Sequence, residues 1–385
     1  MSSIYFNDEH EMLRTTVRQF VEKEINPNVE AWEDGRTFPA HDLFKKMGDL
    51  GLLGITYPEE VGGMGLDYWY QVVMLEEVGK AHCAGVPMAI AVQTDMATPA
   101  LAEFGTPWQK ETFLKPAVAG TAVFSIAVSE PDAGSDVAAI QTRAVADGDD
   151  YLINGSKMWI TSGTQSDYLT LLARTSDDRG FKGMSLIIVP TDAPGFSVSR
   201  KLEKLGNHSS DTAILSFDNV RVPQSYRIGL EGQGFLLQMK QFQKERLAGV
   251  VMGVSGMERI IRLTIDYCRQ RETFGKPLIE NQWIQFKLCE LLTEVEALRQ
   301  LAYHCTRVLV AGGDMTKEVS MAKLKAGRLA RDVADTCLQF HGGMGYVEEY
   351  PIARYFRDAR LLSIGAGADE IMLGIIAKYE GILTK

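Results

Sequence analysis

Glu245 stands between Lys244 and Arg246 at the head of an otherwise small and apolar run, FQKERLAGVVMGVSG, residues 242–256. On a helix its neighbours at three, four and seven positions are Phe242, Ala248, Gly249 and Met252, while Lys244 and Arg246 project roughly 100° to either side. A carboxylate on such a stripe loses hydration, its pKa rises, and it becomes a candidate general base; the plainer reading is a solvated surface charge. Two further stretches carry chemistry. AVSEPDAGSD, residues 127–136, runs a strand pattern into a Gly and Ser turn whose bare amides and hydroxyls could cradle a phosphate or an acyl-amide chain. KMWITSG, residues 157–163, sets Trp159 and Thr161 on one face of a strand, an aromatic slab beside a hydroxyl donor. An ordinary turn and a core tryptophan are the alternatives for these two.

Three segments must position these groups. From Glu9 to about Gly120, apolar residues recur at three and four residue spacing, as in HEMLRTTVRQFVEKEINPNVEAW, which predicts a mostly α-helical unit over 1–120. From about Thr121 the period falls to two. TAVFSIAVSE, DDYLINGSKMWIT, DYLTLLART, MSLIIVPTD and TAILSFDNVRVP predict a β barrel or sandwich over 121–231, with Asn154-Gly155 read as a hairpin turn. Helical patterns return over roughly 236–270, 282–312 and 316–340, then a breaker, HGGMGY, and a final helix near 368–381. Their lengths predict a four-helix-bundle-like unit over 232–385, so the expected fold class is a multi-domain α+β chain ordered α, β, α.

Several functions are excluded or disfavoured. A net charge of -10 argues against nucleic acid or an anionic membrane as the main partner, since both need a cationic footprint. Five scattered cysteines without a Cys-x-x-Cys pair make neither a disulfide framework nor a zinc site and suit a reducing compartment. The six histidines form no H-E-x-x-H, so no metal is expected; G-x-S-x-G, G-x-G-x-x-G and the P-loop signature are absent too. The start, MSSIYFNDEHEM, is acidic where a signal peptide would be basic and then apolar, and no run of about 18 apolar residues occurs, which predicts a cytoplasmic protein with no membrane insertion.

With AVSEPDAGSD, INGSKMWITSG, RQRETFGKPLIENQ and QFHGGMGYVEEYPIARYFRDAR in this order, the chain resembles the acyl-CoA dehydrogenase family of flavoproteins along essentially its whole length. The resemblance implies a non-Rossmann FAD site. Ile126, Ala127, Val128, Ser129 and Glu130, with Ser135, Trp159, Ile160 and Thr161, match the flavin-facing wall of the β unit, Ser129 bonding the isoalloxazine edge. Arg271, Phe274 and Gln282 match positions that reach the FAD of a neighbouring subunit, and Gln339, Gly342 and Gly343 those around its adenosine and pyrophosphate. A pyrophosphate favours a guanidinium and free amides, which these residue types supply. Cofactor sites shared between chains imply an oligomer, in this family usually a homotetramer.

The implied reaction removes the α-proton of an acyl-CoA thioester while a β-hydride moves to the flavin, giving a trans-2-enoyl-CoA. Many family members carry the base in a segment like YEGT, but here SIGAGADEIM puts Gly365 and Ala366 where Tyr and Glu would stand. A second branch, including the isovaleryl-CoA and long-chain enzymes, places its glutamate before an arginine, and Glu245-Arg246-Leu247 matches that pattern. Asp369 and Glu370 are the competing acids, although Glu370 matches a flavin-contacting position. Ala366 then offers its backbone N–H to the thioester oxygen, and Ser135, Gln243, Arg246 and Gly367 are expected beside the substrate. Gln243 replaces an aspartate that some relatives use on the CoA moiety. An enlarged cavity suits long or branched acyl groups, with citronellyl-CoA favoured, and an electron-transfer flavoprotein is the implied acceptor. The competing functions are a flavin oxidase or monooxygenase on the same fold and a non-enzymatic acyl-CoA-binding protein.

Overall fold

A computed structural model describes residues 4–178 and 180–382. The first unit is helical. Asp8–Phe20 starts at Asn7, whose side chain accepts the His10 N–H at 3.0 Å. Tyr68–Val78 is buried nearly all round, its apolar residues in the core and its Glu76 and Glu77 paired with Arg14, and it packs against Asp8–Phe20 and the later helix Gly234–Gln270. A π-helical turn, Val92–Ala97, carries the buried polar residues Gln93, Thr94 and Asp95.

The middle of the chain forms one eight-stranded sheet: β1 Phe124–Ala127, β2 Arg143–Asp147, β3 Asp150–Thr161, β4 Tyr168–Arg174, β5 Met184–Pro190, β6 Phe196–Lys201, β7 Thr212–Pro223 and β8 Arg227–Ile228. Two halves, β6-β7-β3-β2 and β1-β4-β5-β8, meet at a single parallel pairing of Arg143 with Arg174. Three strands, β2, β6 and the two-residue β8, lacked a sequence signal. β2 buries only Ala144 and β6 buries nothing, so neither shows the alternation that burial on one face imposes. Asn154-Gly155 is not a hairpin turn but part of β3, at a register shift against β7. Gly155, at φ 145°, lies so close to Thr142 that a β-carbon would come within 2.6 Å of its hydroxyl oxygen. The hairpin falls instead at Gly148-Asp149, between the paired Asp147 and Asp150.

The last unit contains the helices Gly234–Gln270, Gln282–Val310, Thr316–His341 and Asp369–Tyr379. A further helix, Pro351–Ala359, lies beyond HGGMGY, and its proline start needs no N–H donor. The units are sewn together by polar contacts. Gln241 reaches from the 234–270 helix to the Met96 carbonyl with its Nε2 and accepts the Ala100 N–H at 3.0 Å. Gln93, on the same π-helical turn, accepts the Phe124 N–H of β1 at 2.7 Å. The turn therefore connects the β unit to the helix that carries Glu245. Among the described residues no helix is long and apolar enough to cross a membrane, and no group of three His, Cys, Asp or Glu side chains could hold a metal.

Candidate active site

Glu245 is 9 % exposed, and its Oε2 has no hydrogen-bond partner among the described residues. Burial pushes its carboxyl up to about 7, opposed but not cancelled by the positive charges of Arg246 and Lys323. A solvated surface carboxylate would show neither property. On the same face Ala248 and Met252 are buried, and Phe242 and Gly249 half-buried. A β-carbon built at Gly249 would meet only Leu362, at 3.9 Å, so this face is roomy. Gln243 donates to Met239 of its own helix at 3.4 Å and keeps a buried Oε1 without a partner among the described residues.

Arg246 is also buried, and its Nε donates to the Ala366 carbonyl at 3.3 Å while its guanidinium lies 5.9 Å from the Phe242 ring centroid. It thereby ties the glutamate's helix to the turn at residues 364–368. Upstream, that turn is held by the Leu361 carbonyl, which accepts the Ile364 N–H at 2.8 Å and the Gly365 N–H at 2.9 Å. Ala366 has φ 55° and Gly367 φ 94°. A β-carbon at Gly367 would come within 2.8 Å of Met372 Cε, a flexible side-chain end that can move, so it is the left-handed conformation that favours glycine there. The Ala366 N–H makes no hydrogen bond among the described residues, leaving one polarised donor on a turn anchored to the helix of Glu245.

The competing acids are differently placed. Asp369 is buried against Arg331, 3.3 Å from its Oδ2, with Arg328 at 3.9 Å. Glu370 is exposed. Asp369 also has a buried oxygen without a hydrogen-bond partner, Oδ1, but of the three acids Glu245 is the one that combines burial with no ion pair among the described residues.

The β wall is built around a bulge. Between Lys157 and Ile160 the pairing of β3 with β7 breaks, and the Met158 N–H bonds the Ser129 carbonyl at 2.9 Å instead. Trp159 consequently adopts φ 67° and turns outward, 59 % exposed, a conformation that an aromatic residue rarely takes. It is not the core tryptophan of the plainer reading. The hydroxyls of Ser129, Ser135 and Thr161 make no hydrogen bonds among the described residues, and the Ser162 hydroxyl is buried without a partner. An exposed indole with the uncommitted hydroxyls of Ser129 and Thr161 on the same stretch of sheet suits a flat, polar-edged heteroaromatic ring. Ala127 and Ile160 belong to the sheet's own core and Ile126 and Val128 to the main core cluster, which leaves mainly their backbones for a ligand. Glu130 is committed elsewhere: it accepts the Gln141 N–H at 2.7 Å, the Thr142 N–H at 2.9 Å and the Lys157 ammonium at 2.9 Å.

Arg271, Phe274, Gln282, Gln339, Gly342 and Gly343 form a second, exposed group. Tyr267 stacks on His341 with centroids 4.3 Å apart, and Trp283 meets Phe340 edge-on at 5.5 Å, which brings the ends of three helices together. Phe274 projects fully into solvent at φ 52°. Arg271 follows the end of the helix that holds Glu245, 26 residues on, so about 39 Å of helix separates the two groups at 1.5 Å per residue. One chain cannot bring them to one ligand of ordinary size.

Two lysines escaped the sequence reading. Lys157 lies under the β wall and Lys323 against the 364–368 turn, both essentially unexposed. Lys323 had a signal: it shares a helical stripe with Val319, Ala322, Ala326 and Ala330, all buried.

Comparison with known proteins gives a consistent result. Models of the acyl-CoA dehydrogenase N-terminal, middle and C-terminal domains match residues 7–121, 125–220 and 232–380. The chain is 37 % identical over 371 residues to the probable acyl-CoA dehydrogenase YngJ of Bacillus subtilis, covering 96 % of this chain and 97 % of that protein. It is 37 % identical over 378 residues to a mitochondrial isovaleryl-CoA dehydrogenase of Oryza sativa, covering 98 % and 92 %. A glutaryl-CoA dehydrogenase from Mycobacterium smegmatis, solved in complex with FADH2, superposes with a TM-score of 0.92 at 31 % identity over 99 % of this chain and 96 % of that one.

Proposed function

The chain belongs to the acyl-CoA dehydrogenase family, and on that footing we propose that Glu245 removes the α-proton of an acyl-CoA thioester whose carbonyl oxygen is held by the Ala366 N–H. The observation that carries this reading is the buried, weakly compensated carboxylate on the helix that Arg246 ties to the turn with a free amide. The α-carbon's proton passes to the Glu245 carboxylate, the Ala366 donor stabilises charge developing on the thioester oxygen, and the double bond of a trans-2-enoyl-CoA forms between the α and β carbons. Family members are FAD-dependent, and FAD, when bound, supplies the acceptor for the β-hydride.

The β wall fits that cofactor, with Trp159, Ser129 and Thr161 offering a ring face and hydroxyls. The Ser135 hydroxyl and the Gln243 Oε1 would serve the pantetheine arm, and Gly367, whose carbonyl is held by Lys323, would offer its N–H beside the thioester. The remote group of Arg271, Phe274, Gln282, Gln339, Gly342 and Gly343 would serve the cofactor of a second copy. Exposed Phe274, Trp283, Phe286 and Tyr346 near that group support a homo-oligomer, which we take to be a homotetramer. Electrons would leave through an electron-transfer flavoprotein in the cytoplasm.

The space around Gly249, Gly365 and Ala366 favours a branched or long acyl chain, and citronellyl-CoA heads the order of testing. The test is anaerobic mixing with citronellyl-CoA, isovaleryl-CoA and a long straight-chain acyl-CoA, following flavin bleaching in wild type and Glu245→Gln. Rapid bleaching by one thioester, lost in the variant, is the expected result. A wild type that stays oxidised with all three, or a variant that bleaches equally fast, would overturn the reading.

A further inference from the structure

Two consecutive carbonyls of the 364–368 turn are held by two buried cations from two different helices. Arg246 donates to the Ala366 carbonyl, and the Lys323 ammonium donates to that of Gly367. Lys323 is 1 % exposed on Thr316–His341, a helix that otherwise packs small residues against the turn's lead-in: a β-carbon at Gly327 would come within 2.7 Å of the Ser363 hydroxyl. Burying an ammonium is costly unless it is paired or hydrogen-bonded, so its placement against one main-chain carbonyl requires an explanation.

We propose that Lys323 is a positioning residue for the reaction: it pins the Gly367 carbonyl so that the neighbouring Ala366 N–H stays aimed at the thioester oxygen. This rests on the dehydrogenation reading above and deepens it. The turn is anchored upstream by the Leu361 carbonyl and downstream by Arg246 and Lys323, and the free Ala366 amide lies between the two anchors. Loss of the Lys323 anchor would let the peptides on either side of Gly367 rotate, because glycine sets little barrier, and the Gly365–Ala366 peptide that carries the free N–H is the next one along the chain. The groups facing Lys323 are Asp369 and Glu370 from the last helix and Glu245 and Arg246 from the base helix; burial brings the ammonium down to about 8, Asp369, Glu245 and Glu370 opposing and Arg246 assisting. Lys323 and Arg246 are the cations that hold the Glu245 carboxyl down against its burial.

The test uses the FAD-loaded oligomer with Lys323→Gln and Lys323→Arg. Carbonyl polarisation is read from the red shift of an arylacryloyl-CoA chromophore on binding, a signal that needs no turnover. In Lys323→Gln the shift is expected to fall to less than about half, flavin reduction to slow about 10- to 100-fold with thioester affinity changed less than about threefold, and the pH midpoint of reduction to rise by about half a unit or more. Lys323→Arg should restore most of the shift. The proposal is overturned if Lys323→Gln keeps the full red shift and the wild-type pH midpoint. It is equally overturned if both variants lose FAD or their oligomeric state, which would make the lysine a structural residue. Failure of the dehydrogenation reading would look different: wild type itself would not be reduced by any acyl thioester.

Discussion

Two glutamates are buried to nearly the same degree, Glu130 at 7 % and Glu245 at 9 % exposure, and their carboxyls are displaced in opposite directions. Burial works to raise both. At Glu130, Lys157 at 2.9 Å and the donors of Thr142 and Gln141 outweigh it, and the carboxyl is held below its ordinary range. At Glu245 the nearest cations hydrogen-bond to main-chain carbonyls instead, Oε2 has no partner among the described residues, and the carboxyl is pushed up to about 7. Burial therefore does not make a base. The number of donors committed to the carboxylate decides whether it stiffens the fold or remains available for a proton.

The sharpest way to break this contrast is substitution at both positions. Glu245→Gln should slow flavin reduction by about 10³-fold or more without loss of FAD, whereas Glu130→Gln should leave the rate per bound flavin within about threefold. Stopped-flow reduction under anaerobic conditions measures both, and equal losses would abolish the distinction. Next in size, Lys157→Met leaves Glu130 buried without its cation and should destabilise the β unit by about 3–5 kcal/mol, read from the urea midpoint of tryptophan fluorescence. Adding Glu130→Gln should recover most of that loss, while Glu245→Gln on the same background should recover none.

Reduction by limiting thioester should rise with pH through about 7, by up to about tenfold per unit on the acidic side, because the base must be ionised in the free enzyme. A midpoint near the ordinary carboxylate range would mean that Glu245 is solvated. The smallest effect is on stability, and its sign differs at the two sites. A raised carboxyl contributes stability at low pH that is lost as pH rises from the ordinary carboxylate range through about 7. A lowered one contributes above the ordinary range and loses its contribution as pH falls through its folded value. Glu245→Gln should thus raise the ligand-free Tm by about 2–4 °C at pH 8 and change it little at pH 4, by differential scanning fluorimetry. Glu130→Gln should lower it at pH 8.

Much was legible before any coordinates. Long helical periods, a change to period two and a return to helices predicted the α, β, α order, since burying one face of each element imposes those spacings. The resemblance to acyl-CoA dehydrogenases, carried by four motifs, agrees with the three matched domains. β2 and β6 were illegible because they bury almost nothing, and Asn154-Gly155 misled because a bulge and a hairpin both use glycine.

The helix face around Glu245, with Phe242, Ala248, Gly249 and Met252, follows from chain geometry over a few residues and could be read directly. Its chemistry could not. Arg246 and Ala366, 120 positions apart in the chain, are bridged by one hydrogen bond, and Lys323 meets Gly367 from a third element. The same holds for Lys157 and Glu130, 27 residues apart in the chain. A carboxylate's pKa depends on which charges and donors fold brings within a few ångströms, and on how much water it removes. Residue type and helical spacing named the candidates, and long-range packing tied one glutamate to a lysine and left the other's Oε2 without a partner among the described residues.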